Sequence, residues 1–305
     1  MKIVLLDGHT INPGDLSWAK LEALCDEFVV YERTPEELLA ERIGDCDVLM
    51  TSKCFITRKL MEHAPNLKYI GSTATGYNNI DIAAAKDLGI AVTNIPAYST
   101  ESVAQHTIAL MLELTNHVGL HNDSVQAGDW CRCEHFSYWK TPVVLLAGKS
   151  LGIIGYGSIG QRVARIAEAL GMTVNIYSQD REAAIRSDVV TLHCPLTADN
   201  AKMINEDFIA QMKPGAFLIN TARGGLVDED ALAKALASGR IAGAAVDVLS
   251  REPAAEDNPL IGLENCIITP HIAWVPMEMR QKIIDVLAEN LIDYRNGGTL
   301  NRVEL

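Results

Sequence analysis

Positive charge is scarce in this chain of 305 residues: 26 Lys and Arg face 39 Asp and Glu, a formal net charge of -13. Nucleic acid and anionic membrane surfaces attract clustered Lys and Arg, so neither is expected as a partner. A small anionic substrate stays open, because one local Arg outweighs a global deficit. No apolar run is long enough to span a bilayer. The opening MKIVLLDGHT has a short apolar stretch, an early Asp7 and no small-residue cleavage pattern. It reads as a first β-strand, not a signal peptide. The seven cysteines are scattered, and only Cys131 and Cys133 lie close, with no second pair to complete a zinc site. No metal is expected, and the thiols read as reduced cysteines of a cytoplasmic protein. Repeats and low-complexity segments are absent too. Apolar residues, in contrast, make up 48% of the chain. That suffices for a sizeable core, in one large domain or two ordinary ones.

Short apolar runs alternate with helical patterns. KIVLL, FVVY, DVLMT, KYIGS and IAVTN read as buried strands of a parallel sheet. Between them, TPEELLAERIG reads as a helix with Thr34 as N-cap, Pro35 at its first position and Gly44 past its end. YSTESVAQHTIALMLELTNHVGL then predicts one long, largely buried helix. The aromatic and cysteine-rich GDWCRCEHFSYWKTPVV is too apolar for a plain solvated loop and is expected to cover a partner subunit or a site. A second series follows: SLGIIG, TVNIY, DVVTLHC, AFLINTA, AGAAVDV and CIITP. Six such strands match a doubly wound nucleotide fold. A last helix is expected from about Met277 to Asn296, with Ile283, Ile284, Leu287 and Leu291 on one face and Gly297 as its stop.

Within the second series, Gly155-Tyr156-Gly157-Ser158-Ile159-Gly160 follows a strand and opens a helix. Gly155 permits the tight turn, Gly157 lets the backbone approach a pyrophosphate, and Gly160 allows close packing of helix and strand. The helix N-terminus offers free N–H groups and a favourable dipole to phosphates. The motif alone is weak; its place between strand and helix makes it specific.

Ligands of open α/β sheets bind beyond the carboxyl ends of strands. Three polar residues of the second series stand there: Arg223 in INTARGG, Glu252 in VLSREP and His271 in ITPHIAW. Arg223 can clamp a carboxylate in a fork. His271 can donate or accept a proton near neutral pH, and Glu252 can hold and orient the cationic ring. Beside a nicotinamide hydride donor, such a trio would reduce a 2-keto acid. Read singly, each residue has a plain alternative: a solvated turn for Arg223, surface charge for Glu252, a hydrogen-bonded core histidine for His271.

At these residues the sequence resembles the D-isomer-specific 2-hydroxyacid dehydrogenase family, over nearly its whole length. LAGKSLGIIGYGSIGQRVA, DVVTLHCPLT, MKPGAFLINTARGGLVDEDAL, GAAVDVLSREP and NCIITPHIAW follow family signatures in order. ATGYNNID, VAQHT and SYWKTP are most similar to the glycerate dehydrogenase (hydroxypyruvate reductase) branch. The resemblance implies that Arg223, Glu252 and His271 are catalytic. It implies contacts of Ala74, Thr75 and Gly76 with the substrate carboxylate. Cofactor contacts are implied at Thr107, Ser158, Ile159, Cys194, Pro195, Thr221, Ala222 and Asp247, with Asp247 accepting from the nicotinamide amide. Lys53 either lines the substrate site or is solvated. Trp139 either closes the site, from a partner subunit as in the resembling branch, or packs an interface. His106 and His193 read as structural.

The implied architecture is two doubly wound parallel-sheet α/β domains: a flavodoxin-like substrate domain, residues 1–99 and 287–305, and an inserted Rossmann NAD(P)-binding domain, residues 100–286. Closure of the cleft on substrate and a homodimer are implied as well. The implied reaction interconverts hydroxypyruvate or glyoxylate with the D-2-hydroxy acid, using NAD(H) or NADP(H). The alternative is a dinucleotide-sensing binding protein of the corepressor type.

The dinucleotide fold usually carries an acid about 20 residues beyond its glycine loop, to hold the ribose diol. Here the strand ends in Tyr177, Ser178 and Gln179. In NAD-preferring relatives an Asp commonly stands at the place of Ser178. Serine removes its repulsion of a 2′-phosphate, and Arg181 is near in sequence to meet one, although Asp180 and Glu182 flank it. Acceptance of NADPH alongside NADH is expected. The link to the next strand is short, with room for only a stub of helix.

Overall fold

In the computed structural model, which describes residues 1–305, every apolar run named above forms a strand. The first series gives β1 (Lys2–Leu5), β2 (Glu27–Val30), β3 (Val48–Thr51), β4 (Tyr69–Ser72) and β5 (Ala91–Thr93). The second gives β6 (Ser150–Ile154), β7 (Thr173–Ile176), β8 (Val189–Leu192), β9 (Phe217–Asn220), β10 (Gly243–Val246) and β11 (Cys266–Ile268). Between the early strands lie the short helices α1 (Ala19–Glu22), α2 (Leu39–Ile43), α3 (Arg58–Glu62) and α4 (Ile82–Asp87). Then come α5 (Thr100–Asn116), α6 (Val118–Gln126), α7 (Ser158–Ala169), α8 (Arg181–Ile185), α9 (Glu206–Gln211), α10 (Glu229–Ala237) and α11 (Met277–Arg295).

The chain divides into two units, Met1–Tyr98 with Val275–Leu305, and Ser99–Trp274. The first unit holds a parallel sheet in the order β2-β1-β3-β4-β5, the flavodoxin-like arrangement. The chain rejoins it at Val275, not at 287. The reason is that α11 packs as a whole on this sheet: Ile283, Ile284, Leu287 and Leu291 are all buried, and Leu287 presses on Gly71 of β4. The C-terminal tail then borders β5, with Val303 N donating to Val92 O at 2.9 Å.

In the second unit the sheet runs β11-β10-β9-β8-β6-β7, also parallel. Side chains alternate faces along each strand, so adjacent residues enter different cores. Ile154, Val190, Leu218 and Ala244 pack with α9 and α10. Ile153, Val189, Ile219 and Ala245 pack with α5 and α7. That double burial explains why the strands read as unbroken apolar runs. One difference from the usual nucleotide fold is clear: a single strand, β7, lies beyond β6, where two are common. The link from Tyr177 to Asp188 holds only the five-residue α8, too short for another strand and crossover.

Two local expectations need correction. Thr34 does not cap a helix: it is buried, and its hydroxyl donates to Leu6 O at 2.7 Å, while the segment begins as a 3-10 turn at Glu36. The long helix is broken at His117, which adopts a left-handed conformation with φ of 49°. Beyond the break the Glu113 carboxylate accepts from Gly119 N at 3.1 Å, taking an N–H group at the start of α6.

Candidate active site

In the second unit, the catalytic candidates stand beyond the carboxyl ends of β9, β10 and β11, as expected for an open sheet. His271 Nδ1 lies 2.7 Å from Glu252 Oε2. The other oxygen, Oε1, accepts from Leu249 N at 3.0 Å. The carboxylate is thereby fixed, and it orients the imidazole through Nδ1, which leaves Nε2 as the ring nitrogen that Glu252 does not hold. His271 itself has φ of 55°, a left-handed conformation that a side chain rarely adopts. Its N–H donates to Asp247 O at 2.8 Å and Thr269 O at 3.0 Å, which hold the backbone in place.

Arg223 is exposed, and its guanidinium donates to the carbonyl of Ala222 at 2.7 Å. The turn beneath it is built on Asn220, which accepts from Ala222 N at 3.0 Å and donates to Arg223 O at 2.9 Å. Gly224 explains the adjacent glycine: a Cβ there would stand 1.9 Å from the carbonyl carbon of Leu249. Only glycine lets the turn that follows Arg223 meet the backbone of Leu249, three residues before Glu252.

The glycine loop behaves as its pattern implies. Gly155 has φ of 98° and a Cβ on it would strike the His193–Cys194 backbone. Gly160 packs against Gly155 O. At Gly157 a Cβ would meet nothing within 4 Å, so no protein atom demands glycine there. An open cradle at the start of the twelve-residue α7, with no side chain capping it, fits a pyrophosphate. Ser158 and Ile159 form the first turn of that helix. Cys194 is half-buried and burial pushes its thiol up; Pro195 is exposed beside it. Thr107 and Thr221 share a 2.9 Å hydroxyl contact, and Thr107 also donates to Val103 O at 2.8 Å. Thr107 is fully buried.

Ser178 is exposed at the end of β7. The acids near it turn away. Asp180 caps α8 by accepting from Ala183 N at 2.9 Å, and Glu182 pairs with Arg186 at 3.4 Å. Arg181 lies over the Tyr177 ring, 5.5 Å from its centroid.

Asp247 is only 1% exposed. Its Oδ1 accepts from Thr269 Oγ at 2.6 Å and Ile272 N at 2.8 Å, and Oδ2 from Ala273 N at 2.9 Å. Burial pushes its pKa up, but hydrogen bonds from His106, Thr269 and the two N–H groups outweigh it and hold the carboxyl below its usual range. His106 Nε2 lies 3.0 Å from Thr269 Oγ and 3.4 Å from Asp247 Oδ1. Nothing in the sequence marks His106 and Thr269 as partners, 163 residues apart. His193 is different. Its Nε2 contacts Thr191 Oγ at 3.0 Å, its Nδ1 is buried with no partner, and burial pushes its pKa down to about 3.

In the first unit, Ala74, Thr75 and Gly76 form a turn after β4. Their carbonyls accept from Ile95 N, Asn94 Nδ2 and Ser72 Oγ at 3.1, 2.8 and 3.1 Å. Their N–H groups find no acceptor inside the unit. Lys53 is exposed, on a turn that Asp7 anchors: Asp7 Oδ2 accepts from Ser52 N, Lys53 N and Thr51 Oγ at 3.0, 2.6 and 2.7 Å. Trp139, at 70% exposure, belongs to a segment tied to α6 through Tyr138 Oη, 2.8 Å from Ser124 Oγ. No group of His, Cys, Asp and Glu is arranged to hold a metal, and no helix is long and apolar enough to cross a membrane.

Comparison with known proteins places the chain in a family. The family model described as D-isomer specific 2-hydroxyacid dehydrogenase, NAD binding domain, matches residues 108–273. A hydroxypyruvate reductase of Blautia hydrogenotrophica is 45% identical over 322 aligned residues, covering 99% of each chain. Among solved structures, an acyclic imino acid reductase in complex with NADPH and D-Arg is similar with a TM-score of 0.85 and 33% identity, covering 99% of this chain and 100% of that one. D-lactate dehydrogenase from Aquifex aeolicus, complexed with NAD and lactic acid, gives 0.82 and 30%, covering 100% and 99%. With a family match over more than half its length and a relative this similar from end to end, the chain belongs to the D-isomer specific 2-hydroxyacid dehydrogenase family.

Proposed function

We propose that this protein reduces a small 2-keto acid of the hydroxypyruvate or glyoxylate type to the D-2-hydroxy acid, and catalyses the reverse oxidation. The observation that carries the reading is the Glu252–His271 contact of 2.7 Å. A proton donor oriented by a fixed carboxylate is what a carbonyl reduction requires and what a binding protein does not. A bound NADH or NADPH supplies the hydride. Arg223 grips the carboxylate and polarises the neighbouring carbonyl. As C2 becomes tetrahedral, His271 Nε2 gives its proton to the new alkoxide, and Glu252 holds the ring in line before and after. In the first unit, the N–H groups of Ala74, Thr75 and Gly76, with Lys53, are suited to receive an anion. A D-2-hydroxy acid product matches the description of the family, D-isomer specific 2-hydroxyacid dehydrogenase.

Cofactor choice follows from the end of β7. With Ser178 in place of an acid, and with Asp180 held by Ala183 N and Glu182 paired with Arg186, no acid stands at the end of β7 itself, and Arg181 lies over Tyr177 close by. Both reduced cofactors should serve.

Phe136 at 92%, Leu145 at 76% and Trp139 at 70% exposure lie on one segment. Apolar exposure on this scale supports a homodimer built on that segment, with Trp139 packing at the interface or reaching the partner's site. Light scattering on the purified protein decides the assembly. Seven free cysteines support a cytoplasmic location. The decisive assay offers hydroxypyruvate, glyoxylate and pyruvate with NADH or NADPH and follows loss of the reduced-nicotinamide absorbance. No turnover with any combination would refute the reading.

A further inference from the structure

We propose that His106 is a positioning residue for the catalytic acid: acting through Thr269 and Asp247, it locks the loop that carries His271 in its left-handed conformation. The proposal rests on the reading of His271 as the proton donor, and on four observations of geometry.

The first concerns the backbone. With φ of 55°, His271 sits where a non-glycine residue stays only if its surroundings hold it there. The second concerns what holds it. The N–H groups of three successive residues, His271, Ile272 and Ala273, all donate to Asp247, the first to its carbonyl and the others to its carboxylate. One buried residue therefore clamps the whole loop.

Proton bookkeeping at Thr269 is the third. Its hydroxyl has one hydrogen, and the 2.6 Å contact with the buried carboxylate of Asp247, an acceptor only, takes it. At the 3.0 Å contact with His106, Thr269 must then accept, so His106 carries hydrogen on Nε2. The same N–H faces Asp247 Oδ1 at 3.4 Å. The chain of donation runs in one direction, from His106 to Thr269 to Asp247. It increases the polarity of the hydroxyl and pins the carboxylate that receives Ile272 N.

Last is the mounting. His106 projects from α5, a helix of seventeen residues with a buried apolar face. The next residue, Thr107, binds Thr221 beyond β9. Adjacent residues of one rigid helix thus reach the strand ends that lead to Arg223 and to His271. An acid whose ring must meet a developing alkoxide within a few tenths of an ångström benefits from a rigid mounting of this kind.

The test uses the whole chain and the variants His106→Leu, His106→Gln, Thr269→Val and the Leu/Val double, with two readouts. Amide hydrogen exchange over residues 269–274 needs no turnover. Exchange should rise about tenfold in His106→Leu and Thr269→Val, the loss expected for a hydrogen bond linked to a charged group. It should return to within about threefold of the native protein in His106→Gln, whose amide donates at a similar reach. In the reductase assay, kcat should fall about tenfold in the first two variants while the Kd for NADH changes less than about twofold. Because both act in one chain, the double variant should be no slower than the slower single.

Exchange and kcat within about twofold of native in His106→Leu would overturn the proposal. So would an equal loss in His106→Gln, or effects that multiply in the double variant. Should His106→Leu fail to fold, His106→Gln decides with Thr269→Val, which puts a methyl group in place of the hydroxyl: native-like exchange in Thr269→Val, or loss in His106→Gln as large as in Thr269→Val, overturns the proposal. A native protein that turns over no 2-keto acid would refute the functional reading while the exchange arm still settles the role of His106.

Discussion

Glu252 faces His271 across 2.7 Å, and each is fixed from behind: the carboxylate by Leu249 N, the histidine backbone by Asp247. The chain's own backbone holds the pair in this geometry. Neither residue must pay a reorientation cost at the moment of proton transfer.

Replacing His271 by Gln therefore removes the proton donor and little else. Turnover of the keto acid should drop by about a hundredfold to ten-thousandfold, the usual worth of a positioned acid. Cofactor binding, measured by fluorescence titration, should persist. Full activity in this variant would move the acid role to another group.

Arg223→Ala should raise KM for the keto acid and lower kcat together, because the same guanidinium clamps the carboxylate and polarises the carbonyl. Arg223→Lys should recover little, since a point charge cannot reproduce a two-pronged grip. Steady-state kinetics with unchanged parameters in the alanine variant would take Arg223 out of the site.

Cofactor preference turns on Ser178. The native protein should use both cofactors, with kcat/KM for NADH exceeding that for NADPH by less than about a thousandfold, ~4 kcal/mol. Ser178→Asp should depress NADPH use selectively by restoring a charge opposite the 2′-phosphate. Equal loss with both cofactors in that variant would place Ser178 away from the ribose.

Stability should carry the signature of His193. Its folded pKa lies at about 3, below the usual 6.5, because burial disfavours the cation. The unfolded chain then binds the extra proton between these values. His193 thus contributes fully above about pH 6.5, and the contribution declines as pH falls toward 3, with a slope of at most about 1.4 kcal/mol per pH unit. Thermal melts between neutral and mildly acidic pH should show a shallower decline in His193→Gln than in the native chain. Parallel curves would show that the ring does not titrate this way.

Much of this site is written in local pattern. Gly155, Gly157 and Gly160 stand between a strand and a helix, and Arg223, Glu252 and His271 each follow an apolar run that can be little else than a buried parallel strand. Because parallel sheets bring every carboxyl end to one edge, reading the strands places all three residues at that edge. Local pattern failed where a distant group competed for a residue. Thr34 looked like a helix cap, but Leu6 O claims its hydroxyl. The long helix looked continuous, but His117 turns left-handed and the Glu113 carboxylate, six residues back, takes Gly119 N. The join at Val275 was set by the packing of α11 on the first sheet, which no boundary signal announces.

The sequence by itself determined the two parallel sheets and the glycine loop, and singled out Arg223, Glu252 and His271 as candidates, because periodicity and residue chemistry are local properties. Only the tertiary structure decided how these groups are held. The left-handed turn at His271, its clamp on Asp247 and the link through Thr269 to His106 join residues far apart in the chain. Their geometry depends on hydrogen bonds that exist only once the sheet and α5 have come together.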